Sequence, residues 1–498
     1  MFKIKNVFYI NFLNLFLNTS LYFFVITNLD INSFYLLLFY LSSFFLIFYS
    51  FNFKTIFFEK FLSIFLWLGF PFKLAIPYVA LSFGYELNIF SENTSYNDFS
   101  KDVYNDAIIF SSCGILGFIF ASIIRKKYIF YYSLENKIKK NSILLLYEKY
   151  KFKIIFIYLI LFILINFLNL YFEIYQKGIS SNFAPKFLIV IFKWLLLMGF
   201  SSFACCFVYY DLVKKKNYKF TSAIFLLESF FSNISILSRA FVFNVGVLFM
   251  SFLHLYKNRL RIKFSVFLGL LIFSILLIFL NINITTKLRN CVVNDQYTHN
   301  IKKIFFSKNC IALQKNILKY KISTTDESYS TVNKISSLLF TRWVGLDSMM
   351  AIMSKKEKLN LSYYNFFLKE KKVLNEQSYY EKYFLKKDKL KTHVVNTNHI
   401  FLPGFISYQS ISGSKLFVFL SCFFLGIIGA YLEKFSYRYS YNNFILSALI
   451  SYLFVFRMIH FGYLPFNTFI YFLAIIFTFL QFTLYNFILD KINIKKIL

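Results

Sequence analysis

Arginine is the residue type whose use in this chain points most directly to chemistry. Only 8 of the 55 basic residues are Arg, so a retained guanidinium indicates two-pronged contact with phosphate or carboxylate. By this reasoning Arg239, Arg342 and Arg457 are candidate anion-binding residues, with a structural pairing to Glu or Asp as the alternative for each. The other five are interpreted as flanking their helices. Arg289 does so on the outer side, and a role in topology suffices for the four on the cytoplasmic side, which are Arg125, Arg259, Arg261 and Arg438.

Histidine is scarce, with five residues in the chain. His399 precedes a Pro-Gly turn and a predicted helix, and an imidazole, which titrates near neutral pH, suits a general base at the bilayer surface. The alternative is a histidine that structures the loop, and His393 is the reserve candidate for the base. His460 follows Arg457 by about one helical turn and could share its site. The histidines lack a metal-ligand motif, so neither a metal site nor another cofactor is expected.

Lys73 and Asp347 are charged residues in apolar surroundings. Lys73 follows Trp67-Leu-Gly-Phe-Pro-Phe inside a predicted span, where a lysine is costly unless it is paired or hydrated. It is expected to contact an anionic lipid head group or to pair with an acidic residue such as Glu228. Asp347 follows Arg342 by five positions, so on a helix the two side chains point in different directions. The alternatives for Asp347 are to orient Arg342 on a phosphate, to cap a helix or to pair elsewhere.

Composition predicts an all-α polytopic integral membrane protein. The chain is 58% hydrophobic with a mean hydropathy of +0.58, and apolar runs long enough to cross a bilayer recur along it. We predict about twelve spans, the first of them retained and not a cleaved signal peptide. They lie near 7–27, 33–52, 61–83, 106–123, 153–173, 187–210, 219–236, 240–256, 263–283, 415–432, 442–461 and 467–489.

These spans divide the chain into three parts. Residues 1–283 form an N-terminal bundle of about nine spans, 284–414 a large polar loop with amphipathic helices, and 415–498 a C-terminal bundle of about three. Within the loop, the apolar segment 335–353 is long enough for a thirteenth span. Its charged residues favour a helix on the membrane surface or one that dips partway in.

A Ser/Asn-rich break separates the seventh and eighth predicted spans. It runs from Ser232 to Arg239, and such a break at the ends of two short helices is typical of a polar cavity. Two of the six cysteines, Cys291 and Cys310, fall in the loop and are predicted to form a disulfide, with two unpaired thiols as the alternative. The other four are interpreted as small packing residues within spans.

The distribution of lysine and arginine predicts the orientation. Basic residues flank one end of successive spans, whereas the opposite short loops are poor in them, which indicates that both termini are cytoplasmic. The 284–414 loop then faces outward, toward a periplasm or its equivalent. The formal charge of +32 is not taken to indicate nucleic acid as a partner, since no motif for it is present.

The order of several short motifs resembles a known family. The motifs are Leu-Gly-Phe-Pro-Phe-Lys73, Asn105-Asp106-x4-Ser111-x2-Gly114-x2-Gly117, Glu228-x6-Ser235-Ile-Leu-Ser238-Arg239, Arg342-x2-Gly345-x-Asp347, and Pro403-Gly404 with Ser412-Gly413 before a helix containing Gly426 and Gly429. Across nearly the whole chain this order resembles the bacterial O-antigen polymerases, which are oligosaccharide repeat-unit polymerases of surface polysaccharide and lipopolysaccharide synthesis.

The resemblance implies a metal-independent glycosyltransferase with an architecture like the GT-C membrane enzymes. Such an enzyme works at the periplasmic face of the bacterial inner membrane and joins glycan units carried on undecaprenyl pyrophosphate, with a chain-length regulator as a further partner. It would place Arg239 and Arg342 on the pyrophosphate and His399 as base. The expected substrate-binding residues are Lys73, Glu228, Asp347, Arg457 and His460.

Two other functions remain open at this point. An O-antigen ligase would use the same donor and a similar loop, but would transfer the glycan to lipid A-core. A polysaccharide flippase would account for about twelve helices. It predicts short loops throughout and internal repeat symmetry, and the sequence has neither.

Overall fold

The computed structural model describes residues 2–52, 56–82, 99–129, 141–177, 184–214, 218–238, 240–257, 264–294, 343–370, 378–384, 402–462 and 465–492. All regular structure within these residues is helical. The chain divides into two compact units, and the division falls at 139/140, within the predicted N-terminal bundle. This position lies in the polar, lysine-rich segment between the predicted spans 106–123 and 153–173.

The first unit takes its described residues from Met1–Lys139, Ser337–Thr392 and Ile400–Thr483. Two parts of the polar loop therefore belong to the same unit as spans from both ends of the chain. Its helices are Phe2–Asn28, Ser33–Asn52, Phe57–Trp67, Lys73–Ser82, Lys101–Ile124, Leu346–Met353, Leu361–Leu368, Tyr379–Phe384, Phe405–Ser410, Lys415–Tyr439 and Phe444–Phe454, with π-helical turns at Leu68–Phe72, Arg125–Ile129 and Val455–His460.

The second unit is built from the middle of the chain. Its helices are Ser142–Phe172, Lys186–Trp194, Phe200–Val213, Tyr218–Ser235, Phe241–Lys257 and Phe264–Asn294, with a π-helical turn at Leu195–Gly199. The last helix, Pro465–Lys491, is divided between the two units at 483/484. Each of the twelve predicted spans coincides with helical structure.

Nine helices within the described residues are long and apolar enough to cross a membrane. Because a bilayer offers the backbone no hydrogen-bonding partner, a run of this length must be helical there. The chain is therefore a multi-pass membrane protein. The predicted spans 240–256 and 442–461 correspond to shorter apolar helices, and 219–236 corresponds to an 18-residue helix that is not among the nine.

Glycines set the packing of Lys101–Ile124 against Lys415–Tyr439. A Cβ on Gly117 would lie 2.4 Å from the carbonyl oxygen of Phe419, and one on Gly426 would lie 2.7 Å from Cβ of Ala121. Small residues allow two backbones this close approach, which is a common basis of helix association in membranes. The Gly117 part of the second motif is thus explained by packing alone.

We predict that Gly117→Ala lowers the apparent melting temperature of the purified protein. The added methyl meets the backbone of a neighbouring helix, and such overpacking typically destabilises by about 1–3 kcal/mol. Gly269→Ala is the matched control, because a Cβ there meets nothing within 4 Å and helix propensity alone should stabilise it by roughly 0.5–1 kcal/mol. Equal effects of the two variants on thermal unfolding in detergent would contradict this account.

Arg125 has a structural partner that the sequence interpretation missed. Its guanidinium Nη2 lies 2.7 Å from Glu59 Oε1, and both side chains are almost completely buried. Glu433 is also buried, and it accepts hydrogen bonds from the backbone N–H groups of Phe57 and Phe58. A carboxylate therefore caps the start of Phe57–Trp67, where the helix dipole favours negative charge.

The apolar segment of the loop forms a short buried helix. Leu346–Met353 has 8 residues, and all of them are buried. Eight residues rise only about 12 Å, which is too short to cross a bilayer. The described part of this segment is therefore too short to be a thirteenth span, and it is buried within the protein. A helix on the membrane surface and one that dips partway into the membrane both stay predictions.

Candidate functional site

A π-helical turn in the first unit directly precedes Lys73. The turn spans Leu68–Phe72 and contains Pro71, which has no N–H and disrupts regular α-helical bonding. The carbonyl of Pro71 accepts a hydrogen bond from the hydroxyl of Tyr40 at 3.2 Å. Turns of this kind are frequent at functional sites, and Lys73 begins the helix that follows.

Lys73 forms a buried ion pair with Asp347. The ammonium lies 2.7 Å from Asp347 Oδ2, and the two side chains are 7% and 8% exposed. It also donates to the carbonyl oxygen of Trp343 at 2.8 Å. The ammonium of Lys73 thus contacts both the first turn of Leu346–Met353 and the segment that leads into it. A lysine in apolar surroundings is stabilised by such an ion pair when further hydrogen bonds accompany it.

Of the two alternatives for Lys73, pairing with an acidic residue is the one observed, but the partner is Asp347 and not the Glu228 given as the example. Glu228 lies in the second unit, where its carboxylate accepts hydrogen bonds from Ser201 at 2.8 Å and Ser232 at 3.1 Å. It is 1% exposed, so the serine hydroxyls provide the polar partners that burial requires. Of the alternatives for Asp347, pairing elsewhere is the one observed, although the residue also stands in a first helical turn, where its charge is favourable.

Two glycines allow the segment before Asp347 to lie directly on the π-helical turn. A Cβ on Gly69 would lie 2.4 Å from the carbonyl oxygen of Val344, and one on Gly345 would lie 2.5 Å from the carbonyl oxygen of Gly69. Neither position can carry a larger residue without a backbone shift. The resemblance motifs around Lys73 and Asp347 therefore meet in space, and their glycines are needed for that contact.

His460 contacts the same segment from another helix. The backbone N–H of Val344 donates to Nε2 of His460 at 3.3 Å, so this nitrogen acts as the acceptor of the imidazole. The ring centroid lies 5.0 Å from that of Phe65 and 5.8 Å from that of Trp343. His460 is 2% exposed. Its Nε2 accepts the hydrogen bond from Val344, so in this arrangement His460 positions the segment that contains Trp343 and Val344.

Arg457 lies on the same π-helical turn as His460. The turn spans Val455–His460 and all of its residues are buried. The guanidinium carbon of Arg457 lies 4.9 Å from the ring centroid of Phe456, which is within the range of a cation–π contact. Arg457 and His460 thus lie on one turn with different partners, and a shared site for the two stays a prediction.

The other end of the polar loop docks beside this turn. The N–H of Gly404 donates to the carbonyl of Phe461 at 3.0 Å, and Gly404 has φ = 87°, a conformation that glycine adopts without a steric penalty. Ser407 then donates to the carbonyl of Gly345 at 3.2 Å. Parts of the loop on either side of 385–401 are thus bound together, next to the backbone of His460, whose carbonyl oxygen would lie 2.9 Å from a Cβ on Gly404.

All three predicted catalytic residues lie outside the described residues. These are Arg239, Arg342 and His399, together with the reserve candidate His393 and the predicted Cys291–Cys310 disulfide, for which Cys310 and the side chain of Cys291 are not described. The four other cysteines are free, and three of them are buried. Within the described residues no group of three or more His, Cys, Asp or Glu side chains could hold a metal ion.

The break predicted between the seventh and eighth spans is present in the second unit. Tyr218–Ser235 ends there and Phe241–Lys257 begins six residues later. Leu237 has φ = 54°, which is uncommon for a residue other than glycine and typical of a constrained functional turn. Lys177 donates to the hydroxyl of Ser238 at 2.6 Å. The sequence interpretation missed Lys177, which has no distinguishing motif.

The described candidate residues therefore form two separate groups. Lys73, Asp347 and His460 form one buried cluster around the segment 343–347 of the first unit, and Arg457 lies on the same turn as His460. Glu228 is part of a serine-lined network in the second unit. The cluster can supply fixed positive charge and a rigid support for the loop, which suits an anionic ligand. Compared with models of known families, with curated proteins and with solved structures, the chain has no match.

Proposed function

We propose that this chain is a polymerase of lipid-linked oligosaccharide repeat units at the periplasmic face of a bacterial inner membrane. The proposal includes about twelve spans, a GT-C-like architecture, cytoplasmic termini and metal-independent glycosyl transfer. The observation that carries it is the Lys73 ammonium, which bonds both Asp347 and the carbonyl of Trp343. Trp343 is the residue that follows Arg342, so the cluster supports the loop at the residue proposed to bind pyrophosphate.

The proposed glycosyl transfer requires positive charge at the leaving pyrophosphate and a base at the attacking hydroxyl. A sugar hydroxyl of the acceptor attacks the anomeric carbon of the donor, and the bond from that carbon to the pyrophosphate oxygen breaks. Undecaprenyl pyrophosphate leaves with the electron pair, and Arg239 and Arg342 stabilise its charge. His399 takes the proton of the attacking hydroxyl. In this scheme Lys73, Asp347 and His460 are positioning residues, and Arg457 adds charge at the same cluster.

Chain lengthening in a defined membrane tests the proposal. The protein reconstituted in liposomes with the undecaprenyl-pyrophosphate-linked repeat unit should produce a ladder of longer lipid-linked glycans, and the ladder should persist in a metal chelator. Product that forms only after lipid A-core is added would instead identify a ligase. Donor that changes leaflet without growing would identify a flippase.

We predict that Arg239→Lys reduces the rate of chain lengthening at least tenfold while membrane insertion stays normal. Lysine keeps the charge but loses the planar fork that binds two phosphate oxygens at once. Arg289→Lys is the matched control, since Arg289 is interpreted as a helix-flanking residue and should tolerate lysine. A fully active Arg239→Lys enzyme would reduce Arg239 to a generic cation and remove the argument from arginine usage.

A further inference from the structure

The short helix Leu361–Leu368 exposes large apolar side chains although it belongs to the polar loop. Leu361 is 56% exposed, Phe366 69% and Leu368 41%. Its other face is fixed to the first unit by Tyr364 and Phe367, which are buried. Leu361 and Leu368 lie on one edge of the helix, and an exposed apolar edge on a helix that is firmly attached elsewhere indicates contact with something other than water.

The attachment places this helix at one end of a membrane span. The ring of Tyr364 lies 5.0 Å from that of Phe417, in the first turn of the span Lys415–Tyr439. In addition, a Cβ on Gly413 would lie 2.8 Å from the carbonyl oxygen of Leu359. The chain just before Leu361 therefore lies against the chain just before the span, at the end where the span begins.

Exposed apolar residues along the span identify its lipid-facing side. Leu416 is 67% exposed, Leu420 40% and Phe424 60%, and their spacing of four places them on one stripe of the helix. The stripe begins at Leu416, next to the Phe417 that contacts Tyr364. Lipid that covers this stripe consequently reaches the region where Leu361–Leu368 is attached.

The helical repeat shows which edge of Leu361–Leu368 faces the bilayer. At 100° per residue, Leu368 falls about 20° from Leu361, on the side of Tyr364, whereas Phe366 falls about 140° away. Since Tyr364 contacts the span, the Leu361–Leu368 edge adjoins the lipid. Phe366 lies at the opposite edge, and its ring is 5.8 Å from that of Tyr379, in an aromatic group directed away from the span.

We infer that Leu361–Leu368 is an interfacial helix that lies in the plane of the membrane, with Leu361 and Leu368 inserted among the lipids and Lys369 at the phosphates of the head groups. Lys369 is exposed and directly follows the helix, between the two edges at about 80° from Leu361. Long lysine side chains commonly bridge an apolar contact and the head-group layer in this way. The negative charge of the lipid phosphates is complementary to the positive charge of the Lys369 ammonium.

This contact connects the bilayer surface to the candidate site. Tyr364 donates to Gln409 Oε1 at 2.7 Å, and the ring of Phe367 stacks on Tyr408 at 4.3 Å. Both partners belong to Phe405–Ser410, the helix whose Ser407 donates to the carbonyl of Gly345. The interfacial helix therefore fixes the loop at the depth of the head groups, whatever reaction the site performs.

Lipid-borne quenchers distinguish the two edges of the helix. Single cysteines at Leu361, Leu368 and Phe366, in a variant with its six native cysteines replaced, are labelled with bimane in phospholipid nanodiscs. Spin-labelled lipid carrying the nitroxide near the head group should quench bimane at Leu361 and Leu368 at least threefold more than at Phe366. Aqueous iodide should show the opposite order.

Leu416→Cys provides the lipid-exposed reference in the same experiment. Equal quenching of all three helix positions by lipid, or efficient quenching of Leu361 and Leu368 by iodide alone, would overturn the inference. A glycan ligand or a second copy of the chain on this edge would also do so, because either would shield Leu361 and Leu368 from both quenchers. All three positions are exposed, so the labelled variants should keep the parent's melting temperature.

Discussion

Asp347→Ala is expected to destabilise the first unit by roughly 3–5 kcal/mol, because removal of one partner of a buried ion pair leaves an uncompensated charge. Lys73 would lose the carboxylate at 2.7 Å in surroundings where its side chain is only 7% exposed. The carbonyl of Trp343 would remain as an acceptor but carries no full charge. The expected result is a fall of several degrees in the apparent melting temperature of the protein in detergent.

Asp30→Ala is the matched control for this prediction. It breaks the Lys101–Asp30 pair, whose side chains are 51% and 85% exposed, and exposed pairs contribute only about 0–1 kcal/mol. The double variant Lys73→Met with Asp347→Leu should recover most of the loss, since apolar residues of similar size often replace a buried pair without penalty. Equal effects of Asp347→Ala and Asp30→Ala would contradict the interpretation of the Lys73 pair.

The helices of this protein could be predicted from the sequence, whereas the partners of its buried charges could not. Long apolar runs determine helices in a bilayer, and every predicted span is helical in the structure. The partner of a buried charge depends instead on which distant segments meet. Lys73 and the Trp343 carbonyl are 270 residues apart, and no local pattern in the sequence distinguishes Asp347 from Glu228 as the acid.

The π-helical turns were missed although the sequence contains a signal for one of them. Pro71 within a predicted span indicates irregular bonding, which the structure shows as the turn Leu68–Phe72. No equivalent residue marks the turn Val455–His460. It is followed by Phe461, whose carbonyl accepts from the N–H of Gly404. Contacts between segments so far apart in the sequence cannot be predicted from local helix propensity.

The sequence alone did not distinguish glycines that are needed for packing from glycines that are needed for function. Gly117 and Gly345 occur in motifs that resemble those of polymerases, and each proves to permit a close backbone approach. Close packing is sufficient to explain why glycine stands at these positions. For the candidate site the informative residues are therefore the charged ones, and among these Arg457 is the described arginine with the strongest case for a functional role.

Arg457→Lys is expected to lower the rate of glycan lengthening at least tenfold if the proposed function is correct. The guanidinium lies over Phe456 in a fully buried turn, and lysine offers neither the flat face nor the two-pronged donor set. Arg438→Lys is the control, since Arg438 is exposed at the end of its helix. A role in stabilising the leaving group should reduce kcat more than it changes KM for the donor. Loss of activity that instead follows a loss of thermal stability, or full activity of the lysine variant, would show that Arg457 supports only the fold.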